Sequence, residues 1–219
     1  MENSFWLERW ERSEIGFHQP LVNVFLRRYW TAIASPHERV FVPLCGKSLD
    51  MLWLRDQGHP VLGVELSDIA AIGFFFENHM TPLEVKLPGF DSRRVEQIEI
   101  LCGDYFDLGK THLDGVGVVY DRAALVAFPP ELRESYVEHM ARILPTQARM
   151  LLITFDYNAH EMQGPPFAVS PDEVTRLFSP LGTVRHLETH DALADNPRFR
   201  ERGASRVEEH VFLITFGKT

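Results

Sequence analysis

The chain alternates between short apolar runs and stretches in which apolar residues recur at helical spacing. Apolar runs bounded by polar or turn residues are typical of buried strands, whereas apolar residues at i, i+3 and i+4 indicate helices. The predicted strands are VFVPL (40–44), PVLGVELS (60–67), IEILCGDYF (98–106), GVGVVYD (115–121), ARMLLITFDY (148–157), TVRHLETHD (183–191) and EEHVFLITF (208–216). The predicted helices cover residues 4–14, a segment opened by Pro20, and residues 48–58, 68–80, 129–144 and 170–182, the last capped by Ser170.

Strands that alternate with helices predict an α/β fold, a mostly parallel sheet with helices on both faces. The last two strands are joined by ALADNPRFRERGASR, which shows little apolar periodicity, so they should pair as antiparallel neighbours or through a long irregular loop. We predict one domain over residues 1–219, with insertions at 81–97 and 158–170.

Polar residues and a glycine follow four successive predicted strands. In an open parallel sheet the ligand lies over the carboxyl ends of the strands, so these positions are candidate site residues. Glu65 lies about 20 residues after the first glycine turn, where a carboxylate can accept two hydrogen bonds from a ribose diol. Taken alone, Glu65 could also be a solvated loop carboxylate, and Gly46 only a turn residue. The strand-end candidates are Leu44, Gly46, Glu65, Asp104, Tyr105, Asp121 and Arg122.

The turn PLCGKS does not match a phosphate-binding loop. Such a loop needs a second glycine five positions before the Gly-Lys pair, and Phe41 occupies that position. A dinucleotide fingerprint needs three glycines where this turn has one. A nucleoside ligand without a phosphate, such as S-adenosylmethionine, fits this turn better than a dinucleotide does.

Composition and charge limit the kinds of partner that the protein can bind. Hydrophobic residues make up 45% and charged residues 24%, as in ordinary globular proteins. The net charge of -9 repels nucleic acid and anionic lipid, which favours a small-molecule partner. The N-terminus lacks the apolar core of a signal peptide or membrane span, and Cys45 and Cys102 are too few for a disulfide framework. These features predict a cytoplasmic protein with reduced thiols.

No metal site is predicted. The ten His form no HExxH pattern, because His160-Glu161 is not followed by a second His at the required spacing, and there is no CxxC pair.

Six motifs in order resemble the thiopurine S-methyltransferase family in its bacterial form. They are W-x6-FHQ from Trp10, FVPLCGKSLDMLWL, GVELS, GDYFDL, YDRAAL and QGPPFAV. The resemblance runs from Trp10 to the last strand. It implies a Rossmann-like class I methyltransferase with a seven-stranded sheet, an antiparallel last strand and S-adenosylmethionine as cofactor.

The resemblance also implies roles for individual residues. Trp10, Leu44, Glu65 and Arg122 would contact S-adenosylmethionine, with Asp104 and Tyr105 beside the adenine. Arg122 could instead face the acceptor and stabilise its negative charge. Phe17 and Phe167 would form walls of the acceptor pocket, and Arg198 is a candidate acceptor contact although its region aligns loosely.

The implied reaction moves a methyl group to an aromatic or heterocyclic thiol in a monomer. Residues 1–36 would form a helical lid over a core of residues 37–219, because Trp10 must reach the site from outside the sheet. Selenium and tellurium compounds are alternative acceptors. A nicotinamide oxidoreductase is a rival from another class, because an acidic residue after the second strand would also hold its ribose.

Overall fold

The structure is a computed structural model that describes residues 3–217. Contacts divide the chain into two compact units, one ending at Tyr120 and one beginning at Asp121. No helix among residues 3–217 combines the length and the apolar character needed to cross a bilayer.

Among its described residues, the first unit contains four α-helices and a mostly parallel sheet. The helices are α1 (Asn3–Glu11), α2 (Val24–Ile33), α3 (Asp50–Asp56) and α4 (Asp68–Glu77). The strands are β1 (Arg39–Val42), β2 (Val61–Glu65), β3 (Leu83–Leu87), β4 (Phe90–Val95), β5 (Ile98–Cys102) and β6 (Val116–Asp121), whose last residue begins the second unit. Their order across the sheet is β3-β4-β5-β2-β1-β6.

Strands β5, β2, β1 and β6 run parallel, as the strand-helix alternation predicts. Every residue of β2 is buried, and so are the last three of β1. Parallel strands that helices cover on both faces need such continuous apolar runs. The carboxyl ends of β1, β2 and β5 therefore lie side by side, which is the edge at which the sequence predicts the ligand.

The seven predicted strands are all present, and the predicted insertion at 81–97 adds two more. It forms the antiparallel hairpin β3–β4, which continues antiparallel onto β5. Gly89, with φ of +80°, makes the turn. All five residues of β3 are exposed, so the strand lacks the buried apolar run used to recognise the others.

The second helix begins later than predicted. Pro20 does not open it; Asn23 caps α2, with its side-chain oxygen accepting from the N–H of Phe25 at 2.8 Å and of Leu26 at 3.1 Å. Asn and Asp are preferred at this position because they satisfy backbone donors that have no partner within the helix. The backbone N–H of Asn23 donates to Asp50 at 2.8 Å, and Trp30 donates to His59 at 2.9 Å. These bonds fix α2 against the rest of the first unit.

Among its described residues, the second unit contains three paired strands and three α-helices. The strands are β7 (Arg149–Tyr157), β8 (Gly182–Asp191) and β9 (Val207–Phe216); the helices are α5 (Pro130–Ile143), α6 (Pro171–Phe178) and α7 (Pro197–Glu201). The last strand lies between the other two and is antiparallel to both, which confirms the predicted antiparallel last strand. Ser170 caps α6 by accepting from the N–H of Glu173, as predicted.

Strands β8 and β9 pair as antiparallel neighbours, one of the two predicted alternatives, and the connection between them contains a short helix that was not predicted. This helix, α7, is anchored by the buried ring of Phe199. Phe199 belongs to an apolar cluster in which Tyr157 and Val207 also lie. A single apolar anchor on a helix of five residues leaves no periodicity to detect in the sequence.

Candidate functional site

The turn after β1 holds two residues in the left-handed region of backbone conformation. Leu44 has φ of +48° and Gly46 has φ of +51°. Glycine adopts this conformation freely, whereas for a residue with a side chain it costs about 1–2 kcal/mol. The N–H of Cys45 donates to the carbonyl of Val64 at 2.9 Å and joins the turn to β2. Strained backbone held by its surroundings is typical of ligand-binding loops, and a leucine gives no sequence signal for it.

Glu65 ends β2 beside this turn, as predicted, and is only 7% exposed. One carboxylate oxygen accepts from the N–H of Gly46 at 2.8 Å, and the other accepts from the N–H of Ser67 at 2.8 Å. Burial raises the pKa of Glu65, while these N–H groups oppose the shift by favouring the charged form. The carboxylate is thus fixed by backbone donors on both sides.

Trp10 lies over the Gly46 turn. Its side chain is buried, and a Cβ added to Gly46 would be 3.3 Å from the indole ring and 4.0 Å from the Glu65 carboxylate. The Lys47 ammonium lies 5.9 Å from the centre of the indole, within the range of a cation–π contact. The ring of Phe17 meets Trp10 edge-on at 5.3 Å. Five residues from three separate stretches of the sequence therefore meet at one place.

Asp104 and Tyr105 follow β5, next to the end of β2. The backbone N–H of Gly103 donates to the carbonyl of Glu65 at 2.9 Å, which places the two strand ends side by side. Asp104 caps a turn of 3-10 helix by accepting from the N–H of Phe106, and its second oxygen accepts from Asn3 of α1 at 2.7 Å. Tyr105 is buried. Asn3 was not among the predicted site residues.

The remaining candidates belong to the second unit. Arg122 is half-buried directly after β6. Burial raises the pKa of Glu209, and the positive charge of Arg122 opposes that shift. Phe167 is half-buried, and its N–H donates to the carbonyl of Val126 at 2.7 Å. Arg198 is exposed on α7, the residue before the buried Phe199.

Asp121 is a buried acceptor within the second unit. Its carboxylate accepts from the N–H of Ala124 at 2.9 Å, the N–H of Leu125 at 3.3 Å and the hydroxyl of Tyr136 at 2.7 Å. Burial raises the pKa of Asp121 to about 6, against the opposing effect of these hydrogen bonds. These hydrogen bonds hold the loop that follows β6. They explain why Asp121 lies at the end of that strand.

Relatives identify the family. The model of the family described as Thiopurine S-methyltransferase (TPMT) matches residues 1–217. A protein named thiopurine S-methyltransferase from Nitrosospira multiformis is 53% identical over 215 residues, which cover 98% of each chain. One of the same name from Methylococcus capsulatus is 49% identical over 216 residues, covering 98% of this chain and 97% of the relative.

Solved structures share the fold at low identity. A SAM-dependent methyltransferase from Anabaena variabilis aligns with a TM-score of 0.65 at 15% identity, covering 98% of this chain and 95% of the other. The 1,6-didemethyltoxoflavin-N1-methyltransferase of Burkholderia thailandensis, solved with bound 1,6-didemethyltoxoflavin and S-adenosylhomocysteine, aligns with a TM-score of 0.63 at 14% identity, covering 99% of this chain and 87% of the other. The chain has the α/β fold of SAM-dependent methyltransferases and belongs to the thiopurine S-methyltransferase family.

Proposed function

We propose that this protein transfers a methyl group from S-adenosylmethionine to the sulfur of an aromatic or heterocyclic thiol. The observation that carries the proposal is Glu65, a buried carboxylate held by two backbone N–H groups beside the Gly46 turn, in a chain that matches the family over residues 1–217. The names of the relatives support the choice of a thiol as acceptor.

The residues of the first unit fit the proposed cofactor. A carboxylate offers about four lone-pair sites, and Glu65 uses one on each oxygen for a backbone N–H. The lone pairs that remain can accept from the hydroxyls of a ribose. The single glycine of PLCGKS provides no cradle for a pyrophosphate, which favours a nucleoside without phosphate.

We assign the other first-unit residues to the same cofactor. The strained backbone of Leu44 presents polar groups at the turn, and Asp104 and Tyr105 flank the adenine. Trp10 presents an aromatic face to the sulfonium, a cation that such a face attracts. Phe17, which contacts Trp10 edge-on, forms a wall on the acceptor side.

The assignments in the second unit rest on the family resemblance. Arg122 either pairs with the methionine carboxylate or stabilises the negative charge of the acceptor. Phe167 forms an apolar wall, and Arg198 contacts the acceptor from α7. No residue is assigned as a general base, because a heteroaromatic thiol ionises more readily than an alkyl thiol.

When bound, the sulfonium cofactor supplies an electrophilic methyl group for in-line attack by the acceptor thiolate. The chain holds the two reactants in position. Holding them at attack distance can lower the activation barrier by roughly 7–11 kcal/mol. We infer that α1 acts as the lid. It brings Trp10 over Gly46, whereas α2 is hydrogen-bonded to the core.

We also infer that the protein works as a monomer in the cytoplasm on a small thiol, without nucleic acid or membrane. Its net charge of -9 supports a small-molecule partner. Cys45 and Cys102 are free thiols, as is usual for reducing compartments.

The test is a methyl-transfer screen. The purified chain is incubated with methyl-labelled S-adenosylmethionine and, separately, 6-mercaptopurine, simple alkyl thiols, selenite and tellurite. We expect labelled methyl on the sulfur of 6-mercaptopurine at a kcat/KM higher than for alkyl thiols. Transfer only to selenium or tellurium would replace the proposed acceptor class, and absence of transfer to every compound would refute the proposal.

A further inference from the structure

A second cluster of polar side chains lies on one face of the β7–β9–β8 sheet. Asp156 of β7 stands directly opposite Glu208 of β9. His210 lies two residues further along β9, so its side chain is on the same face as that of Glu208. One ligand atom from each of these three residues lies within 4.8 Å of the others. We call Asp156, Glu208 and His210 the β9 cluster.

One nitrogen of His210 has no hydrogen-bond partner. The residue is 3% exposed, and within the described part of the chain its Nε2 accepts or donates no hydrogen bond. A buried polar atom left in this way costs about 1–3 kcal/mol. Nε2 lies 3.5 Å from an oxygen of Glu208.

The other ring nitrogen fixes the orientation of the imidazole. Nδ1 of His210 lies 3.0 Å from the hydroxyl of Thr189 and 3.3 Å from Nε2 of His186, both on β8. If Nδ1 carries the proton and donates to either group, Nε2 presents a lone pair toward two carboxylates.

A cation already bridges the two carboxylates. One Arg206 nitrogen lies 2.8 Å from Glu208 and 3.4 Å from Asp156. Its side chain is 60% exposed, and exposed ion pairs of this kind contribute about 0–1 kcal/mol. In the described part of the chain the guanidinium pairs with the two carboxylates, while Nε2 of His210 has no hydrogen-bond partner. A metal ion would satisfy all three groups.

We propose that the β9 cluster is a Zn²⁺ site, with ligands from His210 Nε2, Asp156 and Glu208 and the side chain of Arg206 displaced. One imidazole and two carboxylates are ligands that Zn²⁺ accepts, with water completing four-coordination. A hydrogen bond to the second nitrogen of a ligating His, as Thr189 or His186 provides here, is a usual feature of such sites. The site does not depend on the proposed methyl transfer.

The proposal is tested by titrating ZnCl₂ into the untagged full-length chain in a calorimeter at pH 7.5. We expect one Zn²⁺ per chain. His210→Gln should weaken binding by about tenfold or more, since loss even of a supporting group around a metal ligand costs 10–100-fold. Arg206→Gln should strengthen binding, because it removes the competing cation while leaving the three ligands.

His190→Gln is the matched control. His190 also pairs with a carboxylate, Asp195, at 3.0 Å, but on the exposed surface, and the two belong to no group of three possible ligands among the described residues. We expect the His190→Gln variant to bind Zn²⁺ as the parent chain does. Glu208→Gln, a half-buried position, provides a second ligand variant should His210→Gln fail to fold. Absence of binding, or equal binding by the parent and both ligand variants, would overturn the proposal.

Discussion

At the scale of single residues, two buried carboxylates differ in their hydrogen-bond partners. Glu65 is fixed by N–H groups from both sides of a predicted ligand edge, while Asp121 holds its own loop together. Both lie at the ends of strands, and that position by itself does not tell them apart. Only their hydrogen-bond partners separate a proposed ligand contact from a structural one.

Glu65→Gln should weaken S-adenosylhomocysteine binding tenfold or more in calorimetry. A charge-assisted hydrogen bond is worth about 1.5–3 kcal/mol. In the variant, the amide NH₂ would also face one of the two backbone N–H groups that donate to the carboxylate in the parent chain. Glu77→Gln is the control, since Glu77 is half exposed and pairs with Lys47 in the same unit. If both variants lose the same affinity, general charge rather than a specific contact explains the binding.

Asp121→Asn should change how stability depends on pH. The pKa of Asp121 is raised to about 6 in the folded state, so the unfolded chain loses this proton first as pH rises from about 4. The free energy of unfolding of the parent chain should therefore fall through this window, by roughly 3 kcal/mol from this group. The variant lacks that fall.

Urea unfolding at pH 3.5 to 7 measures the effect. The variant's stability relative to the parent should rise across the window, whatever its offset at low pH. Asp172→Asn, an exposed position of α6 in the same unit, should give a curve parallel to the parent. A parallel curve for Asp121→Asn would mean that its burial does not perturb the group.

At the scale of elements, α1 is the segment on which the proposed lid depends. It buries Trp10 alone and is joined by Asn3 to the end of β5. The helix α2 buries four residues and is hydrogen-bonded at both Asn23 and Trp30. Because of this difference in anchoring, we propose α1 alone as the lid, rather than all of residues 1–36.

Trp10→Ala should weaken cofactor binding while the chain stays folded, because the indole covers the Gly46 turn but belongs to a weakly anchored helix. The fall in affinity can be followed by calorimetry and the fold by circular dichroism. Leu7→Ala on the exposed side of the same helix is the control. Unchanged affinity in Trp10→Ala would mean that α1 does not contribute to cofactor binding.

At the scale of the whole molecule, ligand binding should be visible as thermal stabilisation. A ligand at 100 times its dissociation constant stabilises the folded state by about 2.7 kcal/mol, which for a chain of this size raises Tm by about 5–10 °C. We expect this shift with S-adenosylhomocysteine and none with NADH. A shift with NADH alone would favour the oxidoreductase rival.

The sequence alone determined the class of fold, the seven core strands and which of their ends carry polar residues. It could do so because burial is encoded locally, as apolar runs in parallel strands and apolar spacing in helices. The edge hairpin β3–β4 and the short helix α7 escaped because exposed strands and one-anchor helices leave weak patterns.

The tertiary structure decided which of those residues meet. The bond from Gly46 to Glu65, the indole of Trp10 over the turn, and the left-handed backbone at Leu44 all depend on neighbouring strand ends. The β9 cluster likewise joins Asp156 to Glu208 and His210 through strand register, where no motif spacing exists. Pairing across a sheet brings distant residues into contact, and this information is not contained in any local stretch of the chain.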